Sequence, residues 1–237
     1  MTNIIEKESL QYFRPPAFPG SYFLSFEGIE GAGKSTLLRG LKNYLEERQF
    51  RVLLMREPGG TSFGEKLRKA ILESTHKVHP LAEAHLFASA RAQLLSEVIL
   101  KELEEPGTVV IADRYLDSSL AYQGIGRGLG IQTILDLHKH FPLNLVPHLT
   151  FYLRIDVETS HGRQKIRNAP KDYFEAQGDS FYKKLVEGYD QIAGLFRDRV
   201  ATVDANRPFE EIQREIQVTV NKLIENRETS TGHHDED

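Results

Sequence analysis

The clearest chemical signature in the chain is Gly28-Ile29-Glu30-Gly31-Ala32-Gly33-Lys34-Ser35-Thr36. It satisfies G-x-x-x-x-G-K-[ST] in full, and it falls between an apolar run suited to a strand and a stretch suited to a helix, the context that pattern requires. Gly28, Gly31 and Gly33 let the backbone wrap closely around phosphates, with the N–H groups of the loop, Ala32 included, turned inward. The helix that follows adds its positive end. Lys34 in this arrangement bridges the β- and γ-phosphates, and the Ser35 hydroxyl binds Mg²⁺, with Thr36 beside it. A glycine-rich turn can also serve packing alone, but Lys-Ser in register behind a strand speaks for a nucleoside triphosphate. The motif does not separate a kinase from a GTPase, a motor or a synthetase.

A kinase acting on a nucleotide must hold two polyanions together, so it needs a second set of cations. Arg56-Glu57-Pro58-Gly59-Gly60-Thr61 follows the second apolar run, Arg68 lies on the next helix, and Asp113-Arg114-Tyr115 follows the third run. Arginine suits phosphate because its planar fork donates two parallel hydrogen bonds. A surface salt bridge is the commoner role for any single arginine, but Arg56 and Arg114 come directly after strands. Asp113 ends the apolar run Val109-Val110-Ile111-Ala112, where a P-loop protein places a carboxylate that helps position Mg²⁺. An aspartate here can also cap a helix.

The elements that must position these groups alternate. β-rich runs at 22–26, 51–55, 108–112, 149–153 and 199–203 are separated by helical stretches at about 34–48, 63–73, 80–104, 117–126, 130–140, 157–167, 179–197 and 208–225. Strand and helix in turn predict an α/β domain with a parallel sheet covered on both faces. Ligands in such sheets sit beyond the carboxyl ends of the strands, where the residues above fall. Residues 1–20, with Arg14-Pro15-Pro16 and no sustained period, read as an N-terminal extension. The domain spans 21–225, and 226–237 reads as a solvated polar tail.

Composition narrows the partners. The 237 residues are 40% hydrophobic and 27% charged, ordinary for a globular core. A net charge of −4 with acids and bases intermixed argues against nucleic acid held by bulk positive charge. Cysteine is absent, which rules out disulfides and thiolate metal sites and fits a reducing cytoplasm. No apolar run reaches the roughly 20 residues of a membrane span, and no signal peptide is predicted.

Taken together, Gly28–Thr36, Arg56–Thr61, Leu86-Phe87-Ala88-Ser89-Ala90-Arg91-Ala92-Gln93, Asp113–Tyr115 and Ser118-Ser119-Leu120-Ala121-Tyr122-Gln123-Gly124 resemble the thymidylate kinase family in content, order and spacing, over about residues 21–225. The resemblance implies a P-loop kinase fold with a five-stranded parallel sheet and a short lid, ATP and Mg²⁺, dTMP as acceptor, and a homodimer. It also implies that Phe87 stacks on the pyrimidine while Arg91, four residues on and on the same helix face, reaches its carbonyl edge. Tyr122 falls beside the sugar, Ser118 and Gln123 near the base, and Glu30 where an acidic residue accepts from the acceptor's 3′-hydroxyl. Asn206, in the loop after the fifth strand, falls against adenine. It could equally begin the last helix.

Phosphoryl transfer must exclude water. The basic stretch from Gly162 to Tyr173, within a lid at about 161–175, is the candidate cover. The family supplies its transition-state arginine either from the phosphate loop or from the lid. Here Ile29-Glu30-Gly31-Ala32 holds no base, so the bacterial-type arrangement with lid arginines is expected, with Arg163 and Arg167 as candidates. Tyr173 stands where the family's lid often has arginine, which leaves open which cation acts.

Overall fold

The structure, a computed structural model, describes residues 5–167, 174 and 178–231. Five strands, β1 (Tyr22–Glu27), β2 (Arg51–Arg56), β3 (Thr108–Asp113), β4 (Leu149–Arg154) and β5 (Val200–Asp204), form one sheet in the order β2-β3-β1-β4-β5, and every pair is parallel. β1 is buried along its whole length, and Val109 to Ala112 of β3 are fully buried. This is why both read as continuous apolar runs rather than alternating ones.

Register lines up the strand ends. Phe26 lies across from Asp113, and Asp113 lies across from Arg56. The loops after β1, β2 and β3 therefore open at one edge, where the order reverses around β1.

Helices cover both faces. After the short α1 (Lys7–Leu10) come α2 (Lys34–Glu46), α3 (Ser62–Leu72) and α4 (Pro80–Leu94). α4 continues through a π-helical stretch, Leu95–Ile99, into α5 (Leu100–Leu103). α6 (Leu116–Ser119) likewise runs into a π-helical stretch, Leu120–Gly126. α7 (Ile131–His138), α8 (Val157–Arg167), α9 (Asp179–Leu195) and α10 (Phe209–Thr231) follow. α2 forms because Leu37, Leu38, Leu41 and Leu45 recur at helical spacing and bury one face, each contributing about 1.5–3 kcal/mol. α3 starts where the Thr61 hydroxyl accepts from Gly64 N at 2.9 Å.

The N-terminal extension is docked on the domain. Phe13 is buried, Arg14 bridges to Leu145, and His148 joins Pro16 to β1. α10 continues through Thr231, past the start of the expected polar tail. Arg227 ties this end down, with Nη2 3.4 Å from the Phe18 carbonyl and its guanidinium 5.8 Å from the Tyr22 ring.

Candidate active site

The phosphate loop joins β1 to α2 at the C-terminal edge of the sheet. Gly28 and Gly31 take φ of 133° and 80°, and a Cβ at either would come within 2.6 Å of Leu153 O or 2.9 Å of Ser160 O. Only glycine satisfies both demands. Lys34 opens α2, and its ammonium donates to the carbonyls of Gly28 and Ile29 at 3.0 and 3.2 Å. Burial, then the charge of Arg114, lowers Lys34 to about 8 against the pull of Asp113, Glu30 and Glu27.

Arg114 has a left-handed backbone, φ 72°, at the start of the loop after β3. Such strain, about 1–3 kcal/mol, is kept where surrounding structure demands it. Its Nη2 pairs with Glu30 at 2.5 Å, and its Nη1 reaches Gly28 O at 2.9 Å, Ser118 Oγ at 3.3 Å and Tyr189 Oη at 3.2 Å. Tyr122 Oη donates to the Glu30 carboxylate at 3.0 Å. Burial would raise Glu30, but the charges of Arg114 and Lys34 outweigh it and hold the carboxylate below its ordinary range. Burial, ahead of its neighbours' charges, raises Tyr122 well above a free phenol, so it remains a donor.

A cleft of about 500 Å³ runs from this loop to the ends of β2 and β3. Glu30, Gly31, Gly33, Lys34, Ser35 and Thr36 line one half. Arg56, Arg68, Phe87, Ser118, Tyr122 and Gln123 line the other, with Asp113 and Arg114 also on the wall. Arg68 donates to Pro58 O at 2.9 Å, and Gln123 is fixed by Glu83 at 2.8 Å. Phe174 closes over the aromatic end, edge-on to Phe87 and Tyr122 with centroids 6.1 and 5.3 Å away.

Arg91 is not among the lining residues. It lies one layer behind, 1% exposed, with Nε and Nη2 on Glu57 Oε2 at 2.7 and 2.5 Å. Its Nη1 donates to Ser119 Oγ at 3.1 Å and to His138 Nε2 at 2.8 Å, which leaves the His138 Nδ1–H for Ile134 O. Burial, then the Arg91 charge, lowers His138 to about 3, so it stays neutral. Glu57 and Ser119, which Arg91 holds, do line the cleft.

Gly28 and Ala32 belong to the phosphate loop but are not among the residues that line the cleft. Arg163 of α8 lines the cleft and clamps two loops, donating to Gly31 O at 3.1 Å and to Ala205 O at 3.0 Å. Asn206 is not among the lining residues; its amide and side chain are both held by Asp204 Oδ1 at 3.0 Å. The Arg167 side chain and most of the expected lid, residues 168–173 and 175, lie outside the described residues.

Glu27, Glu57, Ser119, Phe174 and Tyr189 complete the site without having been assigned roles there. Glu57 and Ser119 lie inside the motifs already noted and Phe174 inside the expected lid, Glu27 ends an otherwise apolar strand, and Tyr189 left no signal. Asp113 Oδ1 is buried with no hydrogen-bond partner among the described residues, and the exposed Ser35 lines the same cleft. A free hard oxygen and a hydroxyl suit Mg²⁺, which takes few protein ligands and completes its shell with water and phosphate.

A glycine-rich Lys34–Ser35 loop and the arginines Arg56, Arg68 and Arg114 sharing one cleft at the carboxyl edge of a parallel sheet are the arrangement of a P-loop nucleoside monophosphate kinase. Residues 26–216 match the profile of the family described as thymidylate kinase. The protein named Thymidylate kinase from Thermoanaerobacter sp. (strain X514) is 38% identical over 202 residues, covering 85% of this chain and 98% of that one. Those of Nitrosospira multiformis and Geobacillus sp. (strain WCH70) are 41% and 42% identical over 199 and 192 residues, covering 84% and 80% of this chain and 96% and 91% of theirs. The chain belongs to the thymidylate kinase family.

Proposed function

We propose that the protein transfers the γ-phosphoryl group of ATP to dTMP, giving dTDP and ADP. The carrying observation is the continuity of the cleft from Lys34 and Ser35 to Arg56, Arg68, Phe87 and Tyr122. An oxygen of the dTMP phosphate forms the new bond to Pγ as the bond from Pγ to the β,γ-bridging oxygen breaks. That nucleophile is already anionic near neutral pH, so no strong general base is required, and catalysis is positioning plus charge stabilisation.

In this reading Lys34 exchanges its carbonyl partners for the β- and γ-phosphates. The loop amides from Gly28 to Thr36 cradle the triphosphate, and the segment at Asn206 lies beside adenine. Ser35 and Asp113 would hold Mg²⁺, directly or through water, and when bound it would supply neutralisation of phosphate charge. Arg56 and Arg68 hold the acceptor phosphate. Arg114 sits between acceptor and donor, and Arg163 or Arg167 brings a lid cation to the transferring group. Glu30 accepts from the 3′-hydroxyl, Tyr122 crowds the 2′ position, and Phe87 stacks on the base. Ser118, Gln123 and the layer held by Arg91 meet its edge. Contact with the thymine methyl favours dTMP over dUMP by about 1–3 kcal/mol.

Among the described residues no helix is long and apolar enough to cross a membrane. The lack of cysteine supports a cytoplasmic setting. A homodimer is part of the proposal, with Phe63 of α3 and Leu81 of α4, 47% and 41% exposed, as apolar surface for it.

The test is ADP release by purified protein with ATP, Mg²⁺ and a panel of dTMP, dUMP, dCMP and thymidine. The highest turnover is expected with dTMP. Equal turnover with dCMP or thymidine removes the acceptor assignment. ATP binding with no ADP release on any acceptor points instead to a nucleotide-dependent switch.

A further inference from the structure

Glu27 ends β1 one residue before the phosphate loop and is completely buried. Nothing in the phosphoryl-transfer scheme uses it. Its two oxygens nevertheless meet three groups around Arg114. Oε1 accepts from the amide of Tyr115 at 2.7 Å, and Oε2 accepts from Ser118 Oγ at 2.5 Å and Tyr189 Oη at 3.1 Å.

The donor directions follow from chemistry. A guanidinium has no acceptor, so wherever Arg114 Nη1 approaches the Ser118 and Tyr189 hydroxyls it donates, and each hydroxyl hydrogen must point elsewhere. The two hydroxyls are 2.8 Å apart and can satisfy only one such hydrogen between themselves. A carboxylate is acceptor-only and takes both. The Tyr115 amide that Oε1 holds belongs to the residue directly after the left-handed Arg114, so the same carboxylate secures the strained backbone and the far end of the side chain.

We propose that Glu27 is a positioning residue for Arg114: its carboxylate orients the Ser118 and Tyr189 hydroxyls as acceptors and thereby aims the guanidinium at the transferring phosphate. Tyr189, stacked on Tyr152 at 5.1 Å, serves as the rigid relay. Burial, ahead of repulsion from Asp117, raises Glu27 to about 7 against Ser118, Arg114 and the Tyr115 amide, which favour the ionised form, so the acceptor-only carboxylate predominates above that pH. The inference rests on the phosphoryl-transfer reading above.

Glu27→Gln tests it while keeping the shape. The amide oxygen can retain the Tyr115 bond, but the amide nitrogen then donates toward hydroxyls that already receive Arg114. The full chain is assayed as wild type, Glu27→Gln, Glu27→Asp, Tyr189→Phe, Arg114→Ala and Glu27→Gln/Arg114→Ala, each checked by circular dichroism. The expected result is a fall in kcat of about ten- to a hundredfold for Glu27→Gln, the size of an angstrom-scale misplacement, with KM for ATP within about threefold of wild type. Glu27→Asp keeps the charge and recovers part of the loss, and Tyr189→Phe lowers kcat in the same sense. In the Arg114→Ala background Glu27→Gln costs no further kcat, because the group it positions is gone. A folded Glu27→Gln within twofold of wild type overturns the inference, and so does a loss that persists undiminished without Arg114. If Glu27→Gln does not fold, Tyr189→Phe decides: unchanged kcat overturns the relay, and a fall in kcat at unchanged KM for ATP supports it. A wild type that releases no ADP with dTMP instead removes the function reading itself.

Discussion

Arg91 illustrates how a residue can serve a site without lining it. It is among the largest fully buried side chains, and its charge is balanced by Glu57 on one side while Ser119 and His138 accept from the other. Although burial opposes the charge, Glu57 prevails and raises Arg91 further above its ordinary range. A buried pair of this kind adds little net stability when intact, but removing one partner leaves an uncompensated ion. Glu57→Ala is therefore expected to destabilise the fold by about 3–5 kcal/mol, read as a lower urea midpoint. An unchanged midpoint shows that the pair is not held as described. The same substitution frees Arg91 to move, so affinity for dTMP falls more than affinity for ATP.

Among elements, β1 carries the largest share of the design. Its body is core, its end delivers Glu27 and the phosphate loop, and its start is tied to the N-terminal segment through His148. Phe23 N donates to His148 Nδ1 at 2.9 Å, so Nε2–H donates to Pro16 O at 2.9 Å, and the neutral ring meets both needs. Burial, then the Arg227 charge, lowers His148 to about 4 from the ordinary 6.5. Below 6.5 the unfolded chain takes up a proton that the folded chain refuses until about 4, so stability is present above 6.5 and is lost as pH falls through that window. His138 acts in the same direction, while the raised Glu27 acts oppositely between its ordinary 4.5 and about 7. Comparison with a variant isolates one term: His148→Gln can accept from Phe23 and donate to Pro16 without titrating. Urea midpoints at pH 7.5 and pH 5 are expected to differ less for His148→Gln than for wild type. An equal difference rules out His148 as a source of the acid sensitivity.

At the scale of the whole molecule, a parallel sheet collects groups from separate crossovers at one edge. The cleft wall comes from the loops after β1, β2 and β3, from α2, α3, α4 and α8, from α6 with its π-helical continuation, and from Phe174. Phe63 and Leu81 lie on two helices that pack together. If the exposed surface of this helix pair joins two copies, Phe63→Glu with Leu81→Glu converts a dimer into a monomer of unchanged circular dichroism, measured by light scattering. A monomeric wild type removes the dimer from the proposal.

The sequence alone determined what is local. The phosphate loop is contiguous, so its glycines, Lys34 and Ser35 could be assigned from spacing, and the strand boundaries followed within a residue: β1, β3 and β4 are largely buried and read as apolar runs, while the edge strands β2 and β5 stand out as short β-rich runs between helical stretches. The residues after those strands, Arg56, Asp113 and Arg114, could be placed at the ligand edge for the same reason. Only the tertiary structure decided what depends on convergence. Tyr189 meets Glu27 across 162 positions, Phe174 arrives over Phe87, and Arg91 withdraws behind Glu57. Helical spacing puts Phe87 and Arg91 on one face, but which of them reaches the cleft depends on the depth at which α4 packs and on the carboxylate waiting there. Periodicity reports which residues are covered; it carries no record of which distant side chain covers them.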